Sequence, residues 1–112
     1  MIYLQFEDIK LEIDLFEHPA NEKIMKHLPL TISLEKWGNE YYGQIPVNVA
    51  QIDSTNEISE GGIAYSNKGN YFCIFFGQNP AWPVDKIGII KEDSWKKLIS
   101  SEYSQVTIIE EK

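Results

Sequence analysis

Two histidines, one cysteine, seventeen carboxylates and no arginine make up the reactive inventory of this 112-residue chain. Cys73 stands inside the run Tyr71-Phe72-Cys73-Ile74-Phe75-Phe76. A thiol among apolar neighbours has its pKa raised and reacts slowly, so Cys73 reads as a small packing residue unless a base lies beside it. His18 and His27 belong to one helical segment, and nothing in the sequence brings either to Cys73. Nine residues of helix would hold them about 13 Å apart, too far to share an ion. No metal site is therefore predicted, and both histidines are expected to cap the helix or face solvent. A single cysteine can form neither an internal disulfide nor a paired thiolate ligand set. There is no Gly-rich phosphate loop and no Ser/His/Asp order, so no cofactor is expected.

Most carboxylates, including Glu7, Asp8, Asp14, Glu17, Glu110 and Glu111, fall at turns and strand ends, where solvated charge belongs. Glu40 is different: it lies two residues before Tyr42, on the same face of a strand. Acid–base work at Glu40 would require a desolvated carboxyl. The remaining side chains with binding chemistry are aromatic: Trp37, Tyr42, Tyr65, Tyr71, Phe75 and Trp82. Gln44 shares the strand face of Tyr42 and offers an amide to a carbonyl or peptide ligand. Together with Glu40 and Cys73 these residues form the candidate groove. The competing reading is that the aromatics only pack one layer of the fold onto another.

The elements that position them are mostly strands. "IYLQFE" and "IKLEIDL" alternate apolar with polar around Glu7-Asp8 and predict a hairpin. "HPANEKIMKHLP" predicts a short helix near residues 19 to 28, with Pro19 in its first turn and Ile24, Met25 and Leu28 on one face. "LTISLEKW" and "EYYGQIPV" read as strands joined at Gly38-Asn39, and residues 50 to 61 as a polar loop. "GIAYSNKGNYFCIFFG" is the clearest hairpin, "KIGIIKE" and "QVTIIEE" are strands, and "DSWKKLISS" is a second short helix near 93 to 100, capped by Asp93 or Ser94. Strands dominate over two minor helices, which predicts a mostly β fold: a small closed or nearly closed barrel of about eight strands. The run at Tyr71–Phe76 is apolar on both faces, so its outer face must be covered by helices, loops or a ligand.

At this length the chain is expected to be one domain, 1–112, with a single real core. The net charge of −7 and the absence of any basic cluster argue against a nucleic-acid partner. The N-terminal stretch alternates like a strand and lacks a signal-peptide pattern, and no apolar run approaches the ~20 residues of a membrane span. The expectation is a cytoplasmic protein that neither enters nor binds a membrane.

The residues Trp37-Gly38, Glu40, Tyr42, Pro46-Val47, Gly62, Tyr65, Gly69, Cys73-Ile74-Phe75-Phe76-Gly77, Pro80 and Ile87-Gly88 carry a resemblance. Their types and intervals resemble the small prokaryotic cyclophilin-like proteins, a family of largely uncharacterised function, over essentially the whole chain. The resemblance implies a cyclophilin-type barrel flanked by two helices, with Tyr71, Cys73 and Phe75 facing the groove and Phe72, Ile74 and Phe76 filling the barrel. Two departures fall near that groove. Tyr65-Ser66-Asn67-Lys68-Gly69 stands where the family usually has Tyr-Trp-Pro-Pro-Gly, and a shorter following loop carries Trp82 and Pro83. The departure implies that Trp82 is expected to occupy the space the missing tryptophan would have filled.

Cyclophilins proper are prolyl isomerases that use an arginine against the proline nitrogen. This chain has none, and Lys36 would be its only stand-in, a point charge without a planar fork. The function expected is a module binding a small molecule or extended peptide in an aromatic groove. The alternatives are a weak prolyl isomerase, or a subunit, monomer or dimer, that uses the groove as an interface.

Overall fold

The computed structural model describes residues 1–112 throughout. Its ten strands are β1 (Ile2–Gln5), β2 (Lys10–Leu15), β3 (Leu30–Ser33), β4 (Glu35–Lys36), β5 (Glu40–Gln44), β6 (Ser54–Thr55), β7 (Gly62–Ser66), β8 (Tyr71–Phe75), β9 (Val84–Ile90) and β10 (Gln105–Glu110). One α-helix, α1 (Pro19–Lys26), and one 3-10 turn, Ser94–Leu98, complete the fold. All pairings are antiparallel, in the order β3-β10-β1-β2-β9-β7-β8-β5-β4, with β6 added on β9.

This corrects the expected closed barrel of about eight strands. There are ten, and hydrogen bonds do not close the sheet: its two end strands, β3 and β4, are neighbours in sequence but not paired. "LTISLEKW" reads as one strand because its alternation is unbroken. The structure divides it at Leu34, so β3 pairs with β10 and β4 with β5. The curled sheet therefore brings its ends together through the covalent chain. Gly43 of β5 lies so close to β3 that a Cβ there would overlap the Ser33 carbonyl oxygen and crowd the Ile32 methyl. Close packing, not a ladder, seals the seam.

The second helix expected near 93 to 100 is only a 3-10 turn. Asp93 makes no capping bond, and the Ser94 hydroxyl instead donates to the Lys91 carbonyl oxygen at 2.9 Å. Residues 50 to 61 are not wholly loop either, since Ser54–Thr55 pair with Val84 and Asp85. α1 forms where expected, but its buried face is Ala20, Asn21 and Ile24, and Met25, expected beside Ile24, is exposed. His18 caps the helix, its imidazole accepting the Ala20 N–H at 3.0 Å.

The interior is a cluster of 21 buried apolar residues that includes Leu4, Leu11, Ile24, Tyr41, Tyr65, Ile87 and Val106. Phe72, Ile74 and Phe76 point into it. Cys73 and Phe75 point the other way, into a second cluster with Ile58, Ala64 and Val84, against which Tyr42 and Tyr71 pack. The double-sided run is thus a strand between two cores, the smaller one on the outer face of the sheet.

Candidate functional site

A pocket of about 310 Å³ opens on that outer face. Its floor comes from three strands: Glu40 and Tyr42 of β5, Tyr71 and Cys73 of β8, and Val84 of β9. Trp37, in the turn between β4 and β5, forms one wall; Pro80, Ala81 and Trp82, in the loop between β8 and β9, form another. The floor residues converge because of register. Tyr42 lies opposite Cys73, and Glu40 opposite Phe75, so the period-2 alternation of both strands puts this set on one face.

The walls are held by specific bonds. The Trp37 N–H donates to the Glu40 carbonyl oxygen at 2.9 Å, closing the tight turn in which Gly38 takes a positive φ of 62°. The Gln78 side-chain oxygen accepts the Asn39 N–H at 2.7 Å and would collide with any Cβ at position 38. The positive φ favours glycine there, and a Cβ would also displace the Gln78 amide from Asn39. Opposite, the Trp82 indole N–H donates to the Ser66 hydroxyl at 3.0 Å, and Lys68 Nζ stands 5.3 Å from the Trp82 ring centroid. The indole therefore rests on the Ser66-to-Gly69 turn. Tyr42 and Tyr71 meet edge to face, with centroids 5.4 Å apart at 81°.

Glu40 is the one carboxyl sunk in the floor, with 6% of its surface exposed. Burial pushes its carboxyl up from 4.5 to about 7, against the opposing effect of the Cys73 thiol and the Gln78 amide. No lysine or histidine pairs with it. The Cys73 thiol is raised well above its ordinary value, first by burial and then by the charge and hydrogen bond of Glu40, so the carboxyl beside it disfavours the thiolate. No group of three or more His, Cys, Asp or Glu side chains is placed to hold a metal ion.

Of the nine residues singled out in sequence, six line the pocket: Trp37, Glu40, Tyr42, Tyr71, Cys73 and Trp82. Three do not. Phe75 lies beneath, wholly buried in the outer cluster. Tyr65 turns into the main core, where its hydroxyl donates to the Val47 carbonyl oxygen at 3.0 Å and accepts the Val49 N–H at 3.1 Å. Gln44 is exposed and donates to the Gly69 carbonyl oxygen at 3.1 Å. Lys36 also points elsewhere: its ammonium donates to the Ser101 carbonyl oxygen, with Glu102 at 3.8 Å. It is not available at the pocket as a stand-in for arginine. Pro80, Ala81 and Val84 line the pocket without having been candidate groove residues, because an irregular two-proline stretch carries no periodicity to say where it folds back.

The fold has relatives among solved structures. The solution structure of the hypothetical protein AF2241 from Archaeoglobus fulgidus superposes with a TM-score of 0.74 at 24% identity, covering 96% of this chain and 92% of that one. The structure of McbB in complex with tryptophan superposes with a TM-score of 0.79 at 13% identity, covering 99% of this chain but 45% of that one. No curated protein matches in sequence. The sequence pattern of the cyclophilin-like family matches residues 1–110, and the chain belongs to that family.

Proposed function

We propose that the protein is a binding module whose outer-face pocket takes a small molecule or a short extended peptide segment. The observation that carries this reading is a concave, mainly apolar site with four aromatic rings and one buried carboxyl at its floor. That is the usual composition of a small-molecule site, at the lower end of the ~300–1,000 Å³ range. Trp37 and Trp82 leave 52% and 38% of their surfaces exposed, and both line this pocket, so an occupant would cover apolar area now in water. McbB, a protein of this fold, has been seen with tryptophan, which supports an aromatic small molecule as a fitting occupant. The acidic balance of −7 favours such a partner over nucleic acid.

The test is a fragment screen by thermal shift on the native protein and on Trp82→Ala. Compounds that stabilise the native protein and lose that effect in the variant support the pocket. A screen without hits, or hits indifferent to Trp82 and Trp37, would sink it. Prolyl isomerisation is the second reading, and it lacks a cation at the pocket. Any residual rate on X–Pro peptides is expected to be unchanged in Lys36→Ala, because Lys36 is bound to Ser101.

A further inference from the structure

We propose that the pocket takes an organic ammonium ligand, its cation seated among the rings of Trp37, Tyr42, Tyr71 and Trp82 and paired with the Glu40 carboxylate. This rests on the reading of the pocket as a ligand site and names the chemical class of its occupant.

The argument begins with a contrast between two buried carboxylates. Asp85, 1% exposed, is fully provided for: it accepts the Ile52 N–H at 2.8 Å and the Ser54 hydroxyl at 2.9 Å, and meets His18 Nε2 at 2.8 Å. Glu40, also buried at 6% exposed, has only a neutral thiol and a neutral amide beside it, and no cation within 4 Å. A buried carboxylate ordinarily carries a charged or multiply donating partner. Glu40 is also one of the residues that line the pocket, so an occupant could reach its carboxyl.

The walls suit a cation as well. Aromatic faces attract ammonium groups through the ring quadrupole, most strongly at tryptophan. The Trp82 ring already holds one, Lys68 Nζ, which does not line the pocket. The indole keeps its orientation through the bond to Ser66, so the cavity-facing part of the ring is preset. An anionic ligand would meet Glu40 with like charge. A neutral apolar ligand would bury the carboxyl further without replacing its lost water. An ammonium answers both the rings and the carboxylate, and the net charge of −7 draws cations toward the molecule.

The experiment compares choline with 3,3-dimethylbutan-1-ol, which has the same shape with carbon in place of the charged nitrogen. Binding is followed by calorimetry and tryptophan fluorescence near pH ~8.5, where Glu40 is ionised. Choline is expected to bind at least about tenfold more tightly than the alcohol, and Glu40→Gln to abolish that preference. A second variant, Trp82→Leu, keeps the carboxylate and is expected to weaken choline several-fold while leaving the alcohol nearly unchanged. Equal affinity for the two compounds, or a preference that survives Glu40→Gln in a folded variant, overturns the ammonium assignment and leaves the pocket reading standing. Binding of neither compound also overturns it, and the pocket reading then stands or falls on the fragment screen alone.

Discussion

Glu40 and Asp85 are both buried acids, yet their surroundings drive them in opposite directions, and the stability of the protein should record both. For Glu40 the folded state holds its proton up to about pH 7, whereas the unfolded chain releases it near 4.5. Between those values the folded state binds more protons, so stability falls as pH rises, by up to about 3 kcal/mol for a shift of this size. Glu40→Gln should remove that slope and melt higher than the native protein at pH ~8, with little difference at pH ~4. Melting temperatures of both proteins across the range check this; a parallel pair of curves would show that Glu40 stays solvated. For Asp85, burial alone would raise the carboxyl, but the Ile52 N–H, His18, Ser54 and Gln51 outweigh it and hold it below 3.8. Its contribution is therefore present above that value and is lost as pH falls through the lower, folded one. Between the two groups, stability is expected to peak on the acid side of neutrality. Cys73 makes a third residue-scale prediction. It is 5% exposed and its thiol is raised, so labelling by a thiol reagent should be slow in the native state and rapid in denaturant. Fast stoichiometric labelling of the folded protein would contradict its place beneath the pocket.

Among the elements, α1 depends on a bond that spans 67 residues. With Nδ1 accepting the Ala20 N–H, His18 must carry its proton on Nε2 and donate to Asp85 in β9. One imidazole thus caps the helix and pins it to the sheet. His18→Ala is expected to cost about 1–3 kcal/mol, more than a cap alone, because it also removes a donor from a buried carboxylate. Urea denaturation of this variant beside a Met25→Ala control on the exposed helix face measures the difference. The sequence discloses such elements unevenly. The two faces of β8 were legible because period-2 alternation is a property of the strand itself, and the pocket floor followed from it. Tyr65 was misplaced because its hydroxyl is satisfied by the backbone at Val47 and Val49, partners some 16 to 18 residues away that no local pattern announces. Leu34 ends one pairing and begins another without interrupting the alternation, so one strand was seen where two exist. The 3-10 turn at Ser94–Leu98 has the composition of a helix but only five residues, too short to establish an α-helical ladder.

The whole molecule is one curved sheet around its main core, with the small outer cluster and its pocket behind β8. Its integrity turns on the unladdered seam. Gly43→Ala would force a methyl into the Ser33 backbone and is expected to destabilise the protein by about 1–3 kcal/mol, in the manner of an overpacked core. Chemical denaturation provides the measurement, and a neutral result would mean that β3 and β5 can part freely. The same seam bears on how the protein behaves in a crowded solution. β3 and β4 each pair on one side only, so each carries a row of unanswered backbone donors and acceptors, the usual template for strand addition by another copy. Here β3 is set against β5, and Gly43 permits the close approach that shields that edge. A residue with no side chain thereby guards against self-association. Loosening it should convert a loss of stability into concentration-dependent growth of oligomers joined edge to edge.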